Sequence, residues 1–275
     1  YKRQGIYYES QFEEATIELL REAHWQYTFG DDIHRKYTDP LIEEDLRNFL
    51  AAQYKDRDLT TSEIDGIVAN LRNTGGQNDY YALRNAFLLY RDGYDFAYSD
   101  GRDNPFRLEY IDFEHPDHNI FRCVNQFVME QGRENRRPDI LLFVNGIPVC
   151  IIELKNPTKQ NATIRDAHTQ ICTRYMRDIP ALLKYCALAV ISDGAKNALG
   201  TIYTPFEFFY EWKKIENEDK AGKGLDTLRT LIRGALSPER ILEILRDYVY
   251  FPDPTKEDDT TEIVCRYPQF FATRK

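Results

Sequence analysis

A chain of 275 residues, 29% charged and 13% aromatic, with a net charge of −9, can bury a sizeable core and is too aromatic for a disordered tail. The acidic balance excludes a bulk electrostatic binder of nucleic acid, but not an enzyme that meets DNA at one local site. No apolar run approaches the ~20 residues a bilayer requires, no secretory signal opens the sequence, and five scattered cysteines read as free thiols, so a cytoplasmic protein without membrane contact is expected.

The first hundred residues read as mainly helical. Ser10 and Glu13 have capping-box spacing, and Phe12, Ala15, Leu19, Leu20 and Ala23 follow at helical intervals. A second helix is expected from Leu41 to about Tyr54, and a third from Thr61 or Ser62, with Glu63 and Asp65 near its positive end. Asn73–Gly76 reads as a loop, and Asp79 to Tyr90 as a fourth helix. Beyond Pro105 the pattern changes. Phe106–Asp112 and Asn119–Glu130 alternate apolar with polar, and Ile140–Val144, Val149–Leu154 and Tyr185–Ser192 are short apolar runs of strand type.

Ala162–Arg177, Phe206–Lys213, Leu225–Leu236 and Pro238–Val249 read as helices, Glu216–Gly224 as a loop and Phe251–Thr261 as an exit linker. Strands interleaved with helices indicate an α/β chain with a mixed central sheet covered on both faces. The expected organisation is a mainly helical region over 1–105, an α/β core over 106–250 and a linker over 251–275.

The chemistry concentrates in RPDILLFVNGIPVCIIELKNP, residues 137–157. Glu153 and Lys155 are two apart on a strand and so share a face. Asp139 joins them only in one register. A tight turn at Asn145-Gly146 that pairs Val144 with Ile147 sets Asp139 opposite Ile152. A three-residue loop or a bulge sets it opposite Glu153, and one of these is expected. In that register two adjacent carboxylates repel unless a cation lies between them, so Asp139 and Glu153, with the Leu154 carbonyl, are candidate Mg²⁺ ligands. A cation there would polarise a phosphate and acidify water, with Lys155 to orient the water or stabilise developing charge.

Pro138-Asp139 followed by Glu153-Leu154-Lys155 resembles the PD-(D/E)xK nuclease pattern. The wider context, NQFVMEQGRENRRPDILLFVNGIPVCIIELKNP and then RDIPALLKYCALAVISDG, resembles the N-terminal nuclease region of type I restriction enzyme R subunits. The resemblance implies a restriction-endonuclease-like core that hydrolyses double-stranded DNA with Mg²⁺. It implies Asp139 and Glu153 as metal ligands and Lys155 as the catalytic lysine. Such subunits continue into an ATP-driven motor and assemble with methyltransferase and specificity subunits. This sequence has no G-x-x-x-x-G-K-[ST] loop, so ATP is expected to belong to a longer parent, of which this chain is a nuclease module.

The resemblance also implies a Gln and a Tyr one helical turn apart after the strand pair. Gln170 and Tyr175 are five positions apart, roughly 140° around a regular helix, and share a face only across a π-bulge. Glu13 and Glu14 are the candidates for the first-helix acid that such nucleases often recruit, although pairing with Ser10 already accounts for Glu13.

Arg137, with Arg133 and Arg136, suits phosphate contact, and Arg165, Arg174 and Arg177 could extend that surface. His115 and His118, without a cysteine or third histidine nearby, read as an ordinary polar loop rather than a metal site. Ser192-Asp193-Gly194 reads as a turn. Two other functions fit parts of the sequence: a stand-alone repair nuclease, and a non-catalytic module that docks a motor to its partner subunits.

Overall fold

The computed structural model describes residues 2–101, 105–155, 163–216, 224–252 and 260–274, with side chains from Ser10 onward. The N-terminal elements are α1 (Lys2–Glu22), β1 (Gln26–Phe29), α2 (Glu43–Gln53), α3 (Thr61–Asn73) and α4 (Asp79–Asp92). The short strands β2 (Tyr94–Phe96) and β3 (Phe106–Leu108) pair with each other. Then follow β4 (Phe121–Asn125), the small hairpin β5 (Met129–Gln131) and β6 (Glu134–Arg136), β7 (Ile140–Val144) and β8 (Ile147–Leu154).

A helical layer, α5 (Ile164–Thr169), α6 (Met176–Asp178) and α7 (Pro180–Leu183), leads to β9 (Leu188–Ser192) and β10 (Asn197–Gly200). The chain ends with α8 (Leu225–Leu231), α9 (Pro238–Asp247), the paired strands β11 (Val249–Tyr250) and β12 (Ile263–Val264), and α10 (Tyr267–Thr273).

The six-stranded sheet runs β1-β4-β7-β8-β9-β10. The β4–β7 and β7–β8 pairs are antiparallel, and β8 runs parallel to β9. This is the expected mixed sheet flanked by helices. Every residue of β7 and β8 is buried, which explains why the two strands read as continuous apolar runs rather than alternating ones. Their charged residues are confined to the ends, and the site is built there.

The β7–β8 turn is tight, yet the register is the one that faces the carboxylates together. Val144 pairs with Ile147 and Phe143 with Pro148, but Leu142 pairs with Cys150. Val149 is therefore an extra residue, and from Leu142 onward the pairing has shifted by one. Asn145 and Gly146 both have positive φ, 50° and 77°, as a type I′ turn requires. Pro148 has no N–H to give to the ladder, so the strand steps beside it, where prolines in sheets are tolerated.

Gly146 is fixed twice over: its φ is left-handed, and a Cβ would sit 2.1 Å from the Ile42 carbonyl oxygen. Asn145 is fully buried, and its side chain accepts from the Ile120 N–H at 2.7 Å and donates to the Tyr110 carbonyl at 3.0 Å and the Asn119 Oδ1 at 2.8 Å.

Several expectations need correction. α1 continues through Ser10 from Lys2, so Ser10 does not begin a helix and the Ser10–Glu13 capping box is not formed. A capping box does open α3, where Thr60 and Glu63 satisfy each other's backbone N–H. Phe206–Lys213 makes one 3₁₀ turn, Phe206–Phe208, and then extends. The exposed edge of β10 captures Tyr210 there through two 2.9 Å backbone hydrogen bonds with Leu199.

The helix after β8 is described from Ile164; its expected start, Ala162, lies outside the described residues, as do parts of the Glu216–Gly224 loop and the 251–261 linker. Ser192–Gly194 is part of the β9–β10 turn, with Ser192 facing Asn197. β1 comes from the helical N-terminal stretch and pairs with β4 of the central sheet. Residues 260–274 carry β12 and α10, with Phe270 fully buried.

Candidate active site

The site forms where β8 ends and β7 begins. Continuing the Ile140–Ile152 pairing by one step sets Asp139 across from Glu153. The Leu154 N–H donates to Asp139 Oδ2 at 2.7 Å, so the Asp139 carboxylate is held against the backbone of the opposing strand. The Lys155 N–H donates to the Ser192 carbonyl at 2.8 Å. That bond extends the β8–β9 ladder and keeps Lys155 on the face of Glu153.

Glu153 is 1% exposed. Its Oε1 accepts from Lys155 Nζ at 2.7 Å, while its Oε2 is buried with no hydrogen-bond partner of normal geometry among the described residues. Burial, and then the charge of Asp139, push its carboxyl up to about 8, against the opposing pull of Lys155 and Tyr175. Buried polar atoms are nearly always satisfied, and an orphan at a cluster of ligating groups marks a place for an ion. With both carboxyls ionised, two anions would face one ammonium, which is why Glu153 holds its proton, and a divalent cation would take that proton's place. The donor set is oxygen-rich, as Mg²⁺ prefers.

The helix above the strands is not regular. Residues Gln170–Tyr175 form a π-helical turn between α5 and α6. The wider turn brings Gln170 and Tyr175 onto one face despite their five-residue spacing. Gln170 Nε2 donates to the Tyr175 hydroxyl at 2.7 Å, and Gln170 Oε1 accepts from Lys155 Nζ at 2.8 Å. Tyr175 is buried; burial and then the charge of Glu153 raise its hydroxyl's pKa. The lysine is thus fixed from two sides, by a carboxylate of its own strand and by an amide on the π-turn. Such turns recur at functional sites because they aim side chains that an α-helix would separate.

Glu13 reaches the neighbourhood from α1 through the corner after β4 rather than through Ser10. Its Oε1 accepts from Asn125 Nδ2 at 2.7 Å, and both oxygens accept from Gln126 Nε2, at 2.9 and 2.8 Å. Gln126 also donates its N–H to the Asp139 carbonyl at 3.2 Å, so Glu13 is one residue removed from Asp139. Gln126 has φ 54°, a left-handed conformation unusual for its type. It was missed because no local pattern marks it; the only trace was its place in the NQF segment before the Asp.

The arginines divide. Arg136 is bound to Asp178 and Glu134, Arg177 to Asp178, and the Arg165 guanidinium lies 4.2 Å from the Phe206 ring centroid. Arg133, Arg137 and Arg174 are exposed. Arg137 directly precedes Pro138-Asp139 and forms no ion pair among the described residues, which leaves its guanidinium available beside the site.

A family model described as the type I restriction enzyme R protein N terminus matches residues 6–208. The chain is 28% identical to the type I restriction enzyme HindI endonuclease subunit of Haemophilus influenzae, over 97% of this chain and 26% of that protein. It is also 28% identical to the type I restriction enzyme EcoprrI endonuclease subunit of Escherichia coli, over 66% of this chain and 56% of that protein. It therefore spans about a quarter of the first relative's length and little more than half of the second's.

Proposed function

This chain belongs to the family of type I restriction enzyme R protein N termini, and we propose that it is the Mg²⁺-dependent DNA endonuclease module of such a subunit. The supporting observation is the bulged register at Val149, which sets Asp139 across from Glu153, whose Oε2 is buried without a hydrogen-bond partner among the described residues. Asp139, Glu153 and the Leu154 carbonyl would hold the cation. When bound, it supplies Lewis acidity to the scissile phosphate and acidifies the attacking water.

The chain's own residues do the rest. Lys155 stands 2.7 Å from Glu153 and 2.8 Å from Gln170, so its ammonium is preorganised to meet negative charge developing on the phosphate. Gln170 and Tyr175 keep it from swinging into solvent. Arg137, exposed beside Pro138, contacts the DNA backbone and fixes its path without reading its sequence. Glu13, in its Asn125–Gln126 cradle, braces the backbone of Asp139. A ligand carboxylate must lose its proton before it binds metal. With the Glu153 carboxyl pushed up to about 8, metal affinity rises with pH toward that value.

The net charge of −9 is consistent with DNA being delivered rather than captured by bulk attraction. ATP-driven translocation by the remainder of a longer subunit, within a complex that includes methyltransferase and specificity subunits, would deliver it. The test is restriction of circular double-stranded DNA by the full complex carrying Lys155→Ala. Cleavage lost with ATP hydrolysis and translocation intact supports the assignment; cleavage retained would sink it.

A further inference from the structure

A second cluster of ligating groups lies at the far end of the β7–β8 hairpin, beside the Asn145-Gly146 turn. Asp112, His115 and His118 converge there, with one ligating atom from each residue lying within 4.8 Å of the others. Asp112 Oδ2 is 3.0 Å from His118 Nδ1 and 3.4 Å from His115 Nδ1. In a tetrahedral site with bonds of about 2.0–2.1 Å, neighbouring ligand atoms stand roughly 3.3 Å apart. The two distances from Asp112 already match that spacing, and the two histidine atoms lie within 4.8 Å of each other, on exposed rings that can rotate to close the set. We propose that Asp112, His115 and His118 form a binding site for an imidazole-preferring divalent metal ion, of which Zn²⁺ is the leading case.

The chain builds this arrangement locally. His115 precedes a 3₁₀ turn, Pro116–His118, and His118 closes it. Side chains three apart on a 3₁₀ helix eclipse, which explains why the two imidazoles stack with centroids 4.8 Å apart and planes inclined by 22°. Both Nδ1 atoms therefore turn toward one carboxylate oxygen. Asp112 is held rigidly beneath them: Oδ1 accepts the backbone N–H groups of Glu114 and His115, and Oδ2 accepts from Gln53 Nε2 at 3.0 Å.

Asp112 is buried, whereas the His115 and His118 side chains are 64% and 50% exposed. Solvent can reach the open side and complete a four-coordinate shell with water. Two stacked rings aimed at a single oxygen can share at most one proton each with it, and a divalent ion would engage all three donors at once. Two imidazoles and one carboxylate suit Zn²⁺ better than Mg²⁺, which favours oxygen ligands and octahedral geometry.

The loop is also wired to the hairpin. Asn119 accepts the Asp112 N–H at Oδ1 and donates to the Asp112 carbonyl at 2.7 Å, and the same Oδ1 accepts from Asn145 at 2.8 Å. A metal here would pin the loop that anchors the turn, at the opposite end of the hairpin from Asp139 and Glu153. Its role is structural and separate from the cleavage site. The pairing of His115 and His118 without a cysteine or third histidine masked the site in the sequence, because the third donor is an aspartate.

The test uses the whole protein in a Glu153→Gln background, so that the cleavage site does not take the added metal. Co²⁺ is titrated as an optical probe and displaced by Zn²⁺, with His115→Ala, His118→Ala and the exposed-loop control His34→Ala in parallel. The expected result is one Co²⁺ per chain with visible d–d absorption. Zn²⁺ affinity should fall at least tenfold in each of the first two variants and stay unchanged in the third, while Zn²⁺ raises the melting temperature of only the parent and the control. Absence of the absorption, or equal affinity in His118→Ala and His34→Ala, would overturn the proposal.

Discussion

The Glu153→Gln substitution makes a prediction about stability that needs no DNA. In the folded, metal-free protein the Glu153 carboxyl keeps its proton up to about pH 8, against an ordinary value of 4.5. Between those values the unfolded chain has released a proton that the folded chain retains. Unfolding therefore releases a proton, and stability falls as pH rises through this window. One proton corresponds to at most about 1.4 kcal/mol per pH unit. From about pH 6 to about pH 7.5 the ceiling is roughly 2 kcal/mol, and water entry around the charged form brings the expectation to about 1–2 kcal/mol.

Gln has the same shape and does not titrate. Its absolute effect on stability has either sign, because Lys155 keeps a neutral oxygen partner while the amide brings an extra N–H that the buried site must satisfy, so the informative quantity is the difference between slopes. Urea denaturation with EDTA at both pH values measures it. The parent should lose about 1–2 kcal/mol relative to Glu153→Gln as pH rises, and saturating Mg²⁺ should cancel that loss only in the parent. Parallel slopes would mean that Glu153 is not a buried, strained carboxylate, and the argument for a cation beside it would fail.

Other expectations follow from the same geometry. Gly146→Ala forces a Cβ to within 2.1 Å of the Ile42 oxygen at a positive φ, and should cost roughly 2–4 kcal/mol by urea denaturation; a loss below about 0.5 kcal/mol would contradict the turn geometry. Gln170→Ala removes the amide between Lys155 and Tyr175, and should slow cleavage by the full complex about tenfold to a hundredfold with ATP hydrolysis unchanged. Gln126→Ala removes the amide that holds both Glu13 oxygens, leaving only Asn125 on Glu13, and puts alanine at the left-handed corner whose backbone N–H holds the Asp139 carbonyl, so Mn²⁺ affinity, followed by electron paramagnetic resonance, should fall about tenfold. Unchanged affinity would remove Gln126 and Glu13 from the site's support.

The site's main elements are legible in the sequence where local chemistry governs. β7 spans Ile140–Val144 as expected, because a doubly covered strand carries its burial in its composition. The condition on register was also legible, since the carboxylates can meet only if the pairing shifts. Its cause was not identified, although Pro148 stood in view: a proline two residues after a tight turn signals a bulge more directly than a longer loop does. The π-turn was legible only as a condition, because it answers a tertiary need to bring Gln170 to Lys155.

Failures occurred where distant contacts decide. The Ser10–Glu13 spacing matched a cap by chance, while the partners of Glu13 lie on the corner after β4. β1, a four-residue edge strand reading QYTF, alternates polar with aromatic residues, but it is short and Tyr27 and Phe29 stay exposed, so pairing with β4 rather than burial makes it a strand. Asp112 was passed over beside His115 and His118 because its burial and its convergence on their ring nitrogens exist only in three dimensions.

The most direct measurement is single-turnover cleavage of circular DNA by the full restriction complex assembled with the Glu153→Gln subunit, with ATP consumption followed in the same reaction. A metal-ligand role predicts ATP hydrolysis within about twofold of the parent and cleavage reduced at least about a hundredfold at every Mg²⁺ concentration. Cleavage within a few-fold of the parent, at the same Mg²⁺ concentration, would contradict a catalytic site at Asp139, Glu153 and Lys155.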